Sequence, residues 1–522
     1  MADSRTKNTE RNIVWGAANK ILLALLPFVI RTIIIKEIGV EYVGINSLFT
    51  AVLNVLSLSE LGFNSSVIFV MYRGIANNDK IQLSALLGFL KRVYLIIGIF
   101  ISLIGLLTIP FLDTLIHDAD RLPSDINIYL IYLIFLANSV IGYCWGAYRN
   151  SLFCAYQRND IISNIGSGTS LIFSIIQIVL LIAFKNYYVY VLIIPLITLS
   201  QNYLYVKLSK KMFPSIVPYG KLTESDKKEL KKLVAGTFMG RLGAVLSVSI
   251  DNIVISAFLG VTILGYYSNY FYVISTIQGF MVLVYTSMQG ALGNSVIVDS
   301  LEKNTEDLRN FTFIYNWIIG VCTFCLVFLL QPFILLWIGE EGMLPNVIVY
   351  LLCFYFFVTQ SFGILGTYKQ ALGIVWEDRY RPLIGGLVNI GIKVLLILWL
   401  QKYGDTYSLI GVLVSTIIAH TLVNTPWSVH VTFKRYFKIG ELRYYISIFY
   451  YFFVTIIACI LCVPFFGIIP IDTGIHSLFY LTLRFVCAII LSNLLFYFVY
   501  FKSARFKVAK KYVLSRFHFF KY

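Results

Sequence analysis

Seven charged residues of this chain stand within or near long apolar stretches: Lys20, Arg31, Glu60, Arg241, Asp251, Lys393 and Arg484. A charge at the centre of a bilayer costs about 2.5–3.5 kcal/mol on insertion scales, so such residues face a partner or a wet cavity. On a helix, Lys20 and Arg31 fall within about 20° of one stripe, some 16 Å apart along the axis. Pro27 between them can bend that stripe. Arg241 and Asp251 are about 15 Å apart and about 80° out of register, too distant to pair directly. Long cationic stems can snorkel to an interface, whereas Glu60 and Asp251 have no such reach. These two acids therefore read as coupling or gating groups that pair with a cation in one state. Lys20, Arg31 and Arg241 together suit an anion, and an arginine fork matches phosphate. Asn64 and Ser66 on the second apolar run and Asn269 on the eighth add polar groups, which completes a candidate substrate-binding set.

Other spacings carry less chemistry. Cys322-x-x-Cys325 and Cys459-x-x-Cys462 have redox or zinc spacing. Each pair stands alone in an apolar helix, without the His or second Cys pair that zinc requires. They read as small packing residues. No metal, cofactor or catalytic residue is expected. Asp118-x-Asp120 in "DTLIHDADRLPSD" (113–125) has the chemistry of a metal site or base in a multispan glycosyltransferase or polymerase. The short loops here lack the acceptor-holding domain such an enzyme uses.

The elements that must position these groups follow from composition. The chain is 58% hydrophobic and only 13% charged over 522 residues, with mean hydropathy +0.80. Soluble domains are about 45–50% apolar and about 25% charged. Runs long enough to cross about 30 Å of hydrocarbon recur from end to end. They are continuous rather than alternating, so the spans are helices and not barrel strands. The sequence predicts an all-α polytopic membrane protein of about fourteen transmembrane helices. Their centres fall near Leu25, Val55, Ile99, Leu136, Ile175, Ile194, Leu246, Thr276, Cys322, Tyr355, Val394, Leu413, Ile457 and Ile490. The first run carries Arg31 and no small-residue cleavage site follows it, so it reads as a retained span.

The net charge of +16 is not a nucleic-acid footprint. With the N-terminus inside, only Lys36, Arg121, Lys185 and Lys402 of the 42 Lys/Arg fall in outer loops. Five more lie in spans, and the other 33 are cytoplasmic. That asymmetry predicts both termini in the cytoplasm. The tail from Lys502 to Tyr522 has seven Lys/Arg and no acid. It is expected to be attracted to anionic membrane lipids.

"EIGVEYVGINSLF" (37–49) and "FLGVTILGYYSNYF" (258–271) share a pattern at an offset of 221 residues. Gly39 matches Gly260, Val40 matches Val261, Gly44 matches Gly265 and Ser47 matches Ser268. Lys20 then matches Arg241, and Ser66 matches Ser287. The basic stretch 207–232 lies at the midpoint, with Pro214, Pro218 and a capping-box-like Thr223-x-x-Asp226. It reads as a linker ending in a short cytoplasmic helix. The expected organisation is a six-helix lobe (1–208), a linker (209–229) and a second six-helix lobe (230–433). A helix pair (434–501) and the basic tail (502–522) complete it. Transporters with such repeats bind substrate near the midplane at the repeat interface.

On these residues the chain resembles a family. The stretch 16–79 looks like the opening of the oligosaccharide-lipid flippases, the Wzx-type polysaccharide exporters, and 251–270 like the start of their second lobe. The resemblance implies membership of the multidrug/oligosaccharidyl-lipid/polysaccharide exporter superfamily. It also implies a V-shaped pair of lobes around a central cavity, working by alternating access. The implied substrate is an undecaprenyl-pyrophosphate-linked oligosaccharide repeat unit, moved across the bacterial cytoplasmic membrane for capsule or another surface polysaccharide. Polymerase and glycosyltransferases of the same pathway are the implied protein partners. "VIRTIIIKEIG" (29–39) is similar to the first helix of lipid II flippases, with Arg31 in the place of a cavity arginine. Their second arginine is not matched: near Leu25 the helix is apolar. A drug/cation antiporter of the same superfamily is the alternative, with Glu60 and Asp251 as its acids.

Overall fold

The computed structural model describes residues 24–60, 62–117, 122–374, 376–471, 474 and 476–519. Lys20, Asp118 and Asp120 lie outside these residues, as does the side chain of Arg241. Among the described residues every regular element is a helix. Contacts divide the chain into two units, 1–268 and 269–522.

Unit 1 contains α1 (24–37), α2 (Glu41–Leu56), α3 (Phe63–Ala76), α4 (Lys80–Thr108), α5 (Ile128–Cys144) and α6 (Asn150–Ala155). It continues through α7 (Asn159–Phe184), α8 (Tyr187–Met212), α9 (Glu224–Leu259) and the start of α10 (Val261–Val298). Unit 2 holds the rest of α10, then α11 (Leu301–Ile338), α12 (Asn346–Gln360), α13 (Gly363–Ala371) and α14 (Arg381–Leu400). After these come α15 (Asp405–Ala419), α16 (Thr425–Thr432), α17 (Leu442–Ile468), α18 (Ser477–Tyr500) and α19 (Ala504–Phe519). All fourteen expected centres fall in helices. Ten described helical segments are long and apolar enough to cross a membrane, and α5 with α6 forms an eleventh bent by 45°. The chain is therefore an all-α, multi-pass membrane protein, and a count of fourteen is compatible with it.

Helix α4 shows how an apolar helix is sorted without water. Leu90, Tyr94, Ile97, Ile101 and Gly105 repeat every three or four residues and are buried against protein. Leu95, Ile96, Ile99, Phe100 and Leu103 lie between them and are exposed, as lipid-facing residues are. The very short turn expected at "FKNYY" is present: Lys185, at φ 47°, closes α7, and Tyr187 opens α8.

The linker differs from expectation. Thr223 does cap α9, accepting from the Asp226 N–H at 3.1 Å. No separate cytoplasmic helix follows, because α9 runs unbroken for 36 residues into the apolar region. The Asp226 carboxylate accepts from Arg73 at 2.6 Å, from Gln82 Nε2 at 2.8 Å and from the Thr223 hydroxyl at 2.8 Å. These bonds tie the start of α9 to α3 and α4, which gives the helix tertiary support beyond its cap.

The repeat has a geometric counterpart. Gly39 (φ +127°) turns the chain between α1 and α2, and Gly260 (φ +88°) does so between α9 and α10. Both lie in the region that favours glycine. The matched pair Gly44 and Gly265 meets reciprocally. A Cβ on Gly44 would strike the Val261 carbonyl, and one on Gly265 would strike the Val40 carbonyl.

Candidate functional site

The second predicted span is not one helix. α2 ends at Leu56, a 3-10 turn covers Ser57–Glu60, and Gly62 at φ +97° precedes α3. The fourth span breaks too, with Gly146 at φ +84° between α5 and the short turn leading to α6. At membrane depth, irregular backbone is tolerated where it is buried in protein or lines a cavity. A polar chamber of about 360 Å3 lies at these two breaks. At about 30 Å3 per liquid water, it has room for about a dozen waters.

Glu60 lines the chamber from the first break. Its two carboxylate oxygens accept from the Tyr94 hydroxyl at 2.9 Å and the Tyr143 hydroxyl at 2.8 Å. The two rings meet edge to face at 5.7 Å. Asn54, Asn64 and Asn138 also line the chamber, with Thr198 donating to Asn138 Oδ1 at 2.6 Å. Among the described residues Glu60 makes no ion pair, so the expected cation partner is not in place in this conformation. A single carboxylate ringed by hydroxyl and amide oxygens has the chemistry to take up a proton or a small monovalent cation.

The other expected residues fall elsewhere. Half-buried Arg31 on α1 donates from Nη1 to Ser268 Oγ at 3.2 Å. Its charge also acts on Tyr190, whose hydroxyl accepts from Asn46 at 3.3 Å. Ser66 is 3% exposed, and its hydroxyl is buried without a hydrogen bond. The Asn64 Oδ1 is in the same condition. Asp251 and Asn269 are buried on α9 and α10. Arg241 lies on the helical backbone of α9. Of the expected set, Glu60 and Asn64 are thus brought into one chamber.

Two of the remaining membrane charges have structural surroundings. Arg484 donates to the carbonyls of Phe466 and Ile469, closing the C-terminal end of α17. Lys393 is fully buried on α14. Tyr94 and Tyr143 were not legible as site residues. Nothing distinguishes them among 36 tyrosines until the breaks bring them to Glu60.

Broken apolar helices around internal polar groups make this a multi-pass helical membrane fold with a polar interior. Two solved structures share this fold. The inward-facing conformation of a multidrug resistance MATE family transporter of the MOP superfamily matches with a TM-score of 0.58 at 14% identity. That match covers 78% of this chain and 94% of that one. A MATE crystal structure in the bent conformation matches with a TM-score of 0.51 at 13% identity, covering 79% and 92%. At these identities the likeness is one of fold. No curated protein sequence matches. Residues 10–288, more than half of the chain, match the family described as polysaccharide biosynthesis protein, and the chain belongs to that family.

Proposed function

We propose that this protein flips undecaprenyl-pyrophosphate-linked oligosaccharide repeat units from the inner to the outer leaflet of the bacterial cytoplasmic membrane, by alternating access between the lobes 1–208 and 230–433. The product serves a capsule or other surface polysaccharide. The chain is a carrier rather than an enzyme, with both termini cytoplasmic, and it works beside the polymerase and glycosyltransferases of its pathway. Membership of a polysaccharide biosynthesis family on a transporter fold supports this reading.

The observation that carries it is Arg31, a half-buried cation on an apolar helix with a serine hydroxyl beside it. A pyrophosphate cannot shed its hydration into hydrocarbon unaided. Cations along a wet path replace that hydration, and Lys20, Arg31 and Arg241 form the proposed track. Asn64, Ser66 and Asn269 add polar contacts. Glu60 and Asp251 couple or gate the cycle, with the Glu60 chamber as the site that exchanges a small cation.

Arg31→Ala should cost about 1.5–3 kcal/mol of substrate interaction, roughly ten- to a hundredfold in affinity. Lipid-linked repeat units should accumulate on the inner leaflet, and Arg31→Lys should retain part of the activity. Normal surface polysaccharide from a well-expressed Lys20→Ala, Arg31→Ala, Arg241→Ala triple variant would remove the track from the proposal. A drug/cation antiporter is separated by uptake of organic cations, which the flippase reading expects to be absent.

A further inference from the structure

Three arginines converge on a small recess at the end of unit 2 that the loop charges assign to the cytoplasmic side. Arg309 comes from α11, Arg443 from the first turn of α17 and Arg505 from the first turn of α19. The recess has a volume of about 180 Å3. That is about six waters at roughly 30 Å3 each, which is room for one phosphate group and too little for a drug-sized ligand. No carboxylate lines it, and among the described residues none of the three arginines is in an ion pair. Glu441, next to the recess, is already engaged by His430 at 2.8 Å.

Positive-inside bias explains why cations lie on this side. It does not explain convergence from three elements on a carboxylate-free recess. Arg505 is held in place there by the Tyr451 hydroxyl at 2.8 Å and the Ser447 hydroxyl at 3.4 Å. A guanidinium carries five N–H donors, so these two bonds leave three uncommitted. Two hydroxyls on the recess wall, Thr312 (2% exposed) and Tyr444 (6% exposed), come close to each other without a hydrogen bond of ordinary geometry.

We infer that this recess binds the phosphate of an inner-leaflet phospholipid. Two observations select a lipid over a free phosphate ion. Apolar side chains are exposed here: Ile439, which lines the recess, is 40% accessible, and Leu442, next to Arg443 in the chain, is 70% accessible. A second recess of about 540 Å3 adjoins the first, sharing Arg309, Ile439 and Arg505 with it. Its wall carries Glu302 and Glu306, which can accept hydrogen bonds from an ammonium or hydroxyl headgroup, and Lys438 beside them. An arginine pocket beside carboxylate acceptors matches a phosphate that bears a donor group. Occupancy would pin α19 to α11 and α17, where Phe506 already stacks on Trp317 at 5.7 Å. The site is independent of the transport reading, because it concerns retention of a lipid and not its movement.

Native mass spectrometry of the delipidated full-length protein tests this. Phosphatidylethanolamine and phosphatidylglycerol are the probes, diacylglycerol is the phosphate-free control, and inorganic phosphate is the soluble competitor. One phospholipid should remain bound, and diacylglycerol should not replace it. Arg443 is exposed, so Arg443→Gln should fold normally and weaken retention about tenfold, one charge-assisted contact. Tyr444→Phe should weaken it less, and Arg309→Gln, Arg443→Gln, Arg505→Gln together should abolish it. Unchanged retention in both Arg443→Gln and Tyr444→Phe, or equal retention of diacylglycerol, would overturn the proposal. So would inorganic phosphate protecting the protein from heat as well as the phospholipids do, since the occupant would then be a free ion.

Discussion

Removing the hydroxyl of Tyr143 isolates what holds Glu60. In the wild-type chamber the carboxylate accepts from Tyr143 at 2.8 Å and from Tyr94 at 2.9 Å. A hydrogen bond to a charged group contributes about 1.5–3 kcal/mol, and one between neutral groups about 0.5–1.5 kcal/mol. Tyr143→Phe should therefore lower the unfolding free energy in detergent by about 1.5–3 kcal/mol. In a Glu60→Gln background the same change removes only a neutral bond and should cost about 1 kcal/mol. The coupling energy from the double-mutant cycle is then about 1 kcal/mol, within the range contacting residues show. Export of surface polysaccharide is the parallel readout. Glu60→Gln should be well expressed and defective, whereas Tyr143→Phe keeps the charge and should be only partly impaired. The reasoning fails if Tyr143→Phe costs the same in both backgrounds, because the phenol would then not be responding to a charge. Full complementation by Glu60→Gln would separately remove this acid from coupling.

Two further predictions use other parts of the chain. A cysteine at Ser124 should react with an impermeant reagent on intact cells, and one at Ser225 only after permeabilisation; the reverse pattern would invert the topology read from the loop charges. Asp226, with a side chain 3% exposed, accepts from Arg73, Gln82 and Thr223. Asp226→Ala should destabilise by about 2–4 kcal/mol in a detergent melt, against less than about 1 kcal/mol for Glu229→Ala, whose side chain is 32% exposed. Equal effects would show that the clamp at the start of α9 does not depend on the buried carboxylate.

The membrane makes spans legible and hides what interrupts them. Every expected centre lies in a helix because lipid leaves the backbone no other way to bond over such runs. The glycines at 39, 44, 260 and 265 were also readable, since the repeat presents each twice. The break at Ser57–Gly62 was not. Ser57, Glu60 and Asn64 stood out as polar residues in an apolar run, yet no proline marks an interruption. The turn there depends on tertiary partners, Tyr94 and Tyr143, that lie on other helices. Gly62 and Gly146 were the local signals available, and glycine is frequent in membrane helices without any break. The linker misled for a related reason. A capping box fixes where a helix starts and says nothing of where it ends.

The reciprocal approach of Gly44 to Val261 and of Gly265 to Val40 is an isologous contact held within one polypeptide. Two-fold interfaces of this form ordinarily join separate copies of a protein, where any substitution is imposed on both sides at once. Here the two sides are written separately. A β-carbon at either glycine meets backbone, which no rotamer change can relieve, so accommodation has to come from the facing repeat. Away from the crossing, the same arrangement frees each repeat to change alone. Lys20 stands where the matched position holds Arg241, an asymmetry that a pair of identical subunits could not encode.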